Sequence, residues 1–555
     1  MRYNALGGRQ PKCATMDHVP AFHVENFGCR ATQADGAALE RQFEERGLDR
    51  ASATSADVVI LNTCTVTAAA DQDARAAIRR VQRQNPNAKI VVTGCYAQRA
   101  PEEIAALPGV TCVVGNSHKH QLAEIVLPSL FTRWDRNKHS QPGHEQKEHE
   151  WEERERGGHD LSRAVTAEPS LAFAAKVSQP GHSRAFVPLA SLASRSGEPE
   201  SENRIFVSDI FAHTELLAAP VFDLLGDAHD SQRTRPNLKV QDGCDNRCSF
   251  CVIPYVRGQS RSLPMPQILR EVDALVEAGY RELVVSGINL GRWGRDLAEG
   301  AFEDLLRAIL AETSLEKLRI SSVEPMDWTD ELISLVAQSP RIAKHAHLPL
   351  QSGSDAVLRR MHRKYRPWHY REKIEKIRAA MPVGAIGADV MVGFPGETDA
   401  EFEATRRLIE DLPFTYLHVF TYSARPGTPA ANMPNQVPIH VARERSRILR
   451  DLADTKKLAF MRSFVGKPLE AITLRSCGAG ALAREGSVTN DCERGFCVPE
   501  LADAFTEALT DNYLKLLLKG HHEPNRWLRC CVERVEDGTL VASQESDLEL
   551  TSSAA

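Results

Sequence analysis

Residues 243–251 read GCDNRCSFC, which places Cys244, Cys248 and Cys251 at C-x3-C-x2-C spacing. A closed structural zinc site takes four ligands, commonly as paired C-x2-C units. The residues that follow, VIPYVRG, offer no fourth soft ligand. Three thiolates hold three corners of a cubane iron–sulfur cluster and leave one iron open to an outside molecule. The spacing points to chemistry at a metal rather than to a structural staple.

Three more cysteines share a different regularity. Cys29, Cys64 and Cys95 close the β-like runs AFHVENFGC, DVVILNTC and AKIVVTGC, and each run is followed by a helical segment: ADGAALERQFEERG, AAADQDARAAIRRVQRQ and PEEIAALPG. Alternating apolar strands and amphipathic helices imply a parallel sheet. The C-terminal ends of its strands share one edge, where open α/β folds bind ligands. One such cysteine reads as a small buried residue. Three at the same topological position read as a site.

The chain that must position these residues has 555 of them, enough for two to four domains. Hydrophobic residues make up 42%, and the net charge of −6 excludes a global basic field, so contact with nucleic acid has to come from local patches. Thirteen cysteines are too sparse for a disulfide scaffold. Residues 1–20 carry Arg2, Arg9 and Lys12 without a continuous apolar core, so neither a signal peptide nor an anchor is expected. No run approaches the roughly 20 apolar residues of a spanning helix. A reducing, cytoplasmic setting without membrane contact is the expectation, and clustered cysteines there mean metal or catalysis. Met16 opens a clearer start, MDHVPAFHVENFGC, which makes the first residues an extension.

After this extension (1–20), the first strand–helix domain spans 21–132. Residues 133–202 include HSQPGHEQKEHEWEERERGGHD and SLASRSGEPESEN and read as a disordered insertion. Its histidines, His139, His144, His149 and His159, fit a solvated segment better than a metal site. A linker is expected over 203–235. Within 236–464 the strand candidates are LKVQ, ELVVSGI, LEKLRIS, HAHLPL, IGADVMVGF and YLHVFTYS, separated by helices such as FEDLLRAILAE, DELISLVAQ and EFEATRRLIEDL. Six such units fit a partial βα barrel, with GCDNRCSFC on the loop after the first strand, at the chemically active face. From 465 to 545 the runs LEAITLR, YLKLLL, LRCCVERV and TLVAS suggest a small β-barrel, followed by a tail over 546–555. Cys477, Cys492, Cys497, Cys530 and Cys531 lack metal spacing there and read as structural. In RRMHRKYRPWHYREK (359–373) cations interleave with Tyr365, Trp368 and Tyr370, a pattern that suits phosphates and stacked bases as well as it suits a solvated helix face.

GCDNRCSFCVIPYVRG resembles the signature of radical S-adenosylmethionine enzymes. FGCRATQAD, NTCTVT and TGCYAQR resemble the amino-terminal domain of the tRNA methylthiotransferases. KVQDGCDNRCSFC, SGINLG, HLPLQSGSD and MVGFPGET resemble their catalytic barrel, and LTDNYLKL resembles part of their RNA-binding TRAM domain. The likeness spares only residues 1–20, the insertion and parts of the C-terminus, where CGAGALAREGSVTNDCERGFC fits poorly. It is nearest to the branch acting on N6-threonylcarbamoyladenosine. The implied fold is α/β: an N-terminal parallel-sheet α/β domain, a central partial (βα)6 radical-SAM barrel and a C-terminal small TRAM-like β-barrel.

The resemblance implies two 4Fe-4S clusters. One, on Cys244, Cys248 and Cys251, binds S-adenosyl-L-methionine and generates a 5′-deoxyadenosyl radical, chemistry that belongs to the cofactor. The other, on Cys29, Cys64 and Cys95, presents the sulfur to be inserted at adenosine C2. Implied partners are the tRNA anticodon loop, an electron donor such as flavodoxin or ferredoxin, and a sulfur donor. Ser286, Gly287 and Asn289 are expected at the methionine moiety, Gln351 and Ser352 at the ribose, and Gly393, Pro395 and Gly396 around the adenine. Arg257, Arg363, Tyr365 and Arg425 are the candidates for substrate contact, with support of the barrel from within as the other reading of Arg363 and Tyr365. A two-cluster electron carrier and a zinc protein binding RNA are rival classes, and both explain open three-cysteine sites less well. Sister enzymes acting on isopentenyladenosine or on a ribosomal protein are the nearest rivals in chemistry.

Overall fold

The computed structural model describes residues 19–128, 204–213, 234–298, 300–475 and 505–545. Residues 1–18 of the expected extension, the insertion with its histidines, Cys477, Cys492, Cys497 and the tail lie outside them. Residues 1–127 and 203–555 form one unit and 128–202 a second. The description below concerns the first.

Six parallel strands form the N-terminal sheet: β1 (Ala21–Asn26), β2 (Asp49–Arg50), β3 (Val58–Thr63), β4 (Lys89–Gly94), β5 (Val110–Gly115) and β6 (Arg204–Phe206), in the order β2-β1-β3-β4-β5-β6. β3, VVILNT, is buried at every position, as a strand covered on both faces must be. Helix α1 (Arg30–Glu44) follows β1, and α2 (Ala68–Gln84) follows β3. Thr67 caps α2 by accepting from the Ala70 N–H at 3.2 Å. Its Ala74, Ala77, Ile78 and Val81 form the apolar stripe that packs on the sheet. The stretch expected as a linker contributes more than a connection. Arg204–Phe206 pair with Cys112–Val114 and extend the sheet by one strand. Three residues carry too little periodicity to announce a strand; the open edge of β5 recruits them.

The central barrel contains β7 (Asn237–Asp242), β8 (Arg261–Ser262), β9 (Glu282–Gly287), β10 (Lys317–Ile320), β11 (His345–His347), β12 (Ala385–Val392) and β13 (Tyr416–Thr421). Its sheets run β10-β9-β7-β8 and β11-β12-β13. A parallel bridge between Leu318 and Ile342 and the Val323 N–H bond to the His347 carbonyl (3.1 Å) join them. All six expected strand–helix units are present, and short β8, antiparallel to β7, is the addition. Leu238, Val240, Val285, Leu318, Ala346, Val390 and Val419 face the helices and build the main core. By the two-residue period of a strand, the alternate residues Lys239, Gln241, Ser286, Arg319, His345, His347, Asp389, Tyr416 and His418 line the concave face. That face is polar.

β14 (Pro468–Thr473), β15 (Phe505–Thr510), β16 (Lys515–Lys519), β17 (Trp527–Glu536) and β18 (Thr539–Gln544) close a five-stranded barrel in the order β14-β15-β16-β18-β17. Its core includes Leu516, Leu518, Cys530, Val532 and Leu540. β15, FTEALT, was not among the expected strands. Arg319 donates to the Asp511 and Thr510 carbonyls at 3.0 and 3.2 Å and so ties this barrel to the central one.

Residues 359–373 do not present their three aromatics together at the surface. The helix Pro367–Ala380 buries Tyr370, Ile374 and Ile377 on one face. Tyr365 is also in the core, and its hydroxyl donates to the Pro349 or the Leu350 carbonyl, each 2.7 Å away. Of the three aromatics, Trp368 alone is exposed.

Candidate functional site

At the end of β7 the chain turns at Gly243, whose φ is +71° and where a Cβ would overlap the Gln259 carbonyl oxygen. Only glycine fits that turn, and it delivers the three-cysteine loop. The Cys244 N–H is held by the Gly258 carbonyl at 3.1 Å and the Cys251 N–H by that of Cys248 at 3.1 Å. Polar hydrogens point at the sulfurs: Asn246 N–H at 3.4 Å and Asn289 Nδ2 at 3.7 Å from Cys244 Sγ, and Arg363 Nη1 at 3.2 Å from Cys248 Sγ. Burial pushes the thiols of Cys244 and Cys251 up to about 11 and about 12, and the neighbouring Cys248 adds to both. Three thiolates crowded here need a metal's countercharge. The donor set therefore fits an iron–sulfur cluster.

The second triad is set on the sheet edge. Cys29 precedes α1, Cys64 follows β3, and Cys95 opens the short helix Cys95–Arg99 after β4. Gly28 has φ +122°, and a Cβ there would overlap that of Cys64. Burial and then the nearby Cys29 and Cys95 push the Cys64 thiol up to about 12. Asn116 Nδ2 lies 3.5 Å from Cys95 Sγ and 2.8 Å from the Val256 carbonyl. All six cysteines are free thiols, and this second donor set has the same chemistry as the first.

The two triads meet. Cys95, Cys244, Val252, Ile253 and Val256 form one buried cluster, with Cys251 and Ile288 packed against it. Beside it a buried ionic group joins the N-terminal domain to the central barrel. Lys119 Nζ reaches Asp35 Oδ2 at 3.0 Å, and Lys239 Nζ binds Asp35 and, at 2.9 Å, Asp242. Arg257 spans the same pair, with Nη1 3.0 Å from Asp242 and Nη2 3.0 Å from Asp35. Burial pushes both carboxyls up, but these cations more than reverse it and hold both well below the usual carboxylate range.

Several of the residues expected at substrate and cofactor have partners within the protein. Arg257, 2% exposed, is committed to Asp35 and Asp242. Arg425 Nη1 donates to the Thr65 carbonyl (3.1 Å) and to Asp71 (3.0 Å). Arg363 binds Glu324 and Cys248 and lies over the Tyr365 ring, 4.9 Å from its centroid. Ser352 is fully buried, its hydroxyl 3.1 Å from that of Thr405. An open depression of about 300 Å³ lies beside Cys248, lined by Asn246, Arg292, Glu324 and Arg363.

The remaining loop residues stand at the C-terminal strand ends. Ser286 Oγ is 3.4 Å from the Leu238 carbonyl, and a Cβ on Gly287 would press Gln241 at 3.0 Å. Gln241 had drawn no attention in the sequence, yet it locks two loops together. Its Nε2 donates to the Asp242 and Gly243 carbonyls at 2.9 Å, and its Oε1 accepts the Asn289 N–H at 2.7 Å. Asn289 Oδ1 is buried without a partner next to Cys244, an acceptor suited to an ammonium group. Gln351, at φ +63°, donates its N–H to the Asp389 carbonyl (2.8 Å). Gly393 and Gly396, both at φ +75°, flank Pro395 in the turn after β12.

Residues 238–409 match the Radical SAM superfamily and residues 21–115 the Uncharacterized protein family UPF0004. A threonylcarbamoyladenosine tRNA methylthiotransferase of Bacillus subtilis (strain 168) is 33% identical over 90% of this chain and 90% of its own. A tRNA-2-methylthio-N(6)-dimethylallyladenosine synthase of Novosphingobium aromaticivorans is 32% identical over 82% of this chain and 86% of its own. Among solved structures, the radical S-adenosylmethionine methyltransferase TsrM from Kitasatospora setae, with tryptophan and a SAM analogue bound, has a TM-score of 0.48 at 14% identity over 75% of each chain. Radical SAM enzymes use S-adenosylmethionine and a 4Fe-4S cluster, for which the loop after β7 supplies three thiols and no more. The relatives of Bacillus and Novosphingobium extend along most of the sequence, and on that basis the chain belongs to the radical S-adenosylmethionine tRNA methylthiotransferases.

Proposed function

We propose that this protein converts N6-threonylcarbamoyladenosine beside the tRNA anticodon into its 2-methylthio derivative. The observation that carries the reading is the shared wall between the triads, with Cys95 and Cys244 in one buried apolar cluster. Insertion of sulfur at an unactivated C–H bond needs the sulfur source and the radical source at one dry cavity. Cys244, Cys248 and Cys251 would hold the cluster to which S-adenosylmethionine binds, and that group would supply radical chemistry on reduction. Cys29, Cys64 and Cys95 hold a second 4Fe-4S cluster at the sulfur end. Asn289 Oδ1 accepts from the cofactor's amino group, while Gly287, Gln351 and the Gly393–Gly396 turn shape its pocket. Val252, Ile253 and Ile288 keep water from the junction. A second S-adenosylmethionine would supply the methyl group, an electron donor such as flavodoxin or ferredoxin and a sulfur donor would complete the reaction, and the C-terminal barrel would engage tRNA.

The choice of substrate is supported by the name of the Bacillus relative. The sister reading, an isopentenylated adenosine, has the Novosphingobium relative behind it at nearly the same identity. The two tails differ in chemistry: one carries a carboxylate and a hydroxyl, the other is apolar. A pocket built for the polar tail rejects the apolar one, because each buried group left unpaired costs about 1–3 kcal/mol. The test offers purified enzyme both tRNAs under anaerobic, reducing conditions. Methylthiolation of the threonylcarbamoylated form alone is expected, and preference for the isopentenylated form would move the protein to the sister branch.

A further inference from the structure

On the concave face of the central barrel, His347 (β11), Asp389 (β12) and His418 (β13) bring one ligand atom each to within 4.8 Å of the others. Register puts them there. Asp389 pairs with His418 across β12 and β13, and His347 with Gly387 across β11 and β12. Adjacent strands lie about 4.8 Å apart, so side chains on one face of three neighbours converge on rigid backbone.

The details suit a cation. His347 Nε2 lies 3.2 Å from Asp389 Oδ1. Its Nδ1 is 2.9 Å from the Tyr416 hydroxyl, which is also 2.7 Å from His345 Nε2. Here Nε2–H is placed to donate to Asp389; a bound cation would take the place of that proton, with Nδ1–H donated to Tyr416, and metal-bound histidines have their outer nitrogen engaged in this way. The His347 and His418 rings stack with centroids 5.6 Å apart, so both imidazoles serve one carboxylate where an ion pair needs one. Asp389 keeps 25% of its side chain accessible, which opens the group to the barrel interior. Nearby positive charge is compensated: Arg319 is paired with Glu282, and Arg363 with Glu324.

We propose that His347, Asp389 and His418 bind one divalent transition-metal ion of the zinc class, at a site separate from both cysteine triads. Two imidazoles and one carboxylate are a nitrogen–oxygen set that leaves coordination positions open. Calcium and magnesium, which take oxygen shells, are the wrong class. The assignment is independent of which adenosine is modified.

The test uses the full chain with its iron loaded, dialysed anaerobically against Zn²⁺ alone, with zinc and iron counted together. One zinc per chain is expected beyond the iron. Asp389→Asn and His418→Gln should each weaken zinc binding at least tenfold with iron content unchanged. Tyr416→Phe, which removes the hydroxyl that engages both His347 and His345, should weaken it by about 10–100-fold. His418→Gln alone decides if the aspartate variant fails to fold. Zinc retained equally by His418→Gln overturns the proposal, since the ion then sits on spare thiols, and so does a wild-type protein that retains none.

Discussion

Arg257 and Asp35 lie 222 positions apart and meet at 3.0 Å between Nη2 and Oδ2, each side chain 2% exposed. One residue follows the barrel's cysteine loop and the other sits on the helix that begins after Cys29. Their contact makes the docking of the two domains part of the geometry that brings the cysteine triads together.

Asp35→Asn should therefore do more than remove a surface charge. Lys239 and Arg257 would be left with Asp242, Lys119 would lose its carboxylate, and breaking a buried ion group by deleting a partner costs about 3–5 kcal/mol. Faster hydrogen exchange in α1 and in the residues after β7, with a lower unfolding midpoint, is expected. An unchanged midpoint would show that the group is not what joins the domains.

The two triads should separate in their effects. Cys248→Ala should abolish formation of 5′-deoxyadenosine from S-adenosylmethionine. Cys64→Ala should keep some of that cleavage yet make no methylthiolated product and lose a substantial share of the iron. Equal loss of cleavage in both variants would mean that the sites are not divided by role.

Burial holds His345 well below its ordinary value, and the Arg319 charge pushes in the same direction. The unfolded chain then binds a proton that the folded one refuses, so stability is intact above about pH 6.5 and declines as the pH falls below it, by at most about 1.4 kcal/mol per pH unit. Unfolding midpoints between pH 7.5 and 5.5 should fall in the wild type and fall less in His345→Gln. Parallel curves for the two proteins would assign the slope to other groups.

Residues 133–202 enter the chain between β5 and β6, strands that already pair with each other. Their composition suits solvent rather than a core. A short flexible replacement should leave iron content and cleavage of S-adenosylmethionine unchanged, and loss of either would make the segment structural.

Much of this was legible in the residue order because it is local. Apolar runs ending in Cys29, Cys64 and Cys95 carry their own strand ends, and C-x3-C-x2-C carries its own donor count. The partners of Arg257, Arg425 and Arg363 were not legible, because a cation in a sequence looks the same whether it meets a substrate or a carboxylate tens or hundreds of positions away. The available signals were Asp35 within the small-residue run of α1 and Lys239 within an apolar strand, charges that burial has to neutralise. Gln241 gave no signal, since its role lies in a turn that only the folded loops create. β6 and β15 escaped for lack of apolar periodicity; neighbouring edges fix them.

Arg30 follows Cys29 directly. Its guanidinium donates to the Tyr513 hydroxyl of the C-terminal barrel at 3.1 Å, and its carbonyl accepts from Asn237 Nδ2 of the central barrel at 2.9 Å. A single residue thus touches all three folded parts and is the chain neighbour of a cysteine of the sheet-edge triad. A load on the C-terminal barrel would therefore reach Arg30 through Tyr513, and with it the backbone beside Cys29.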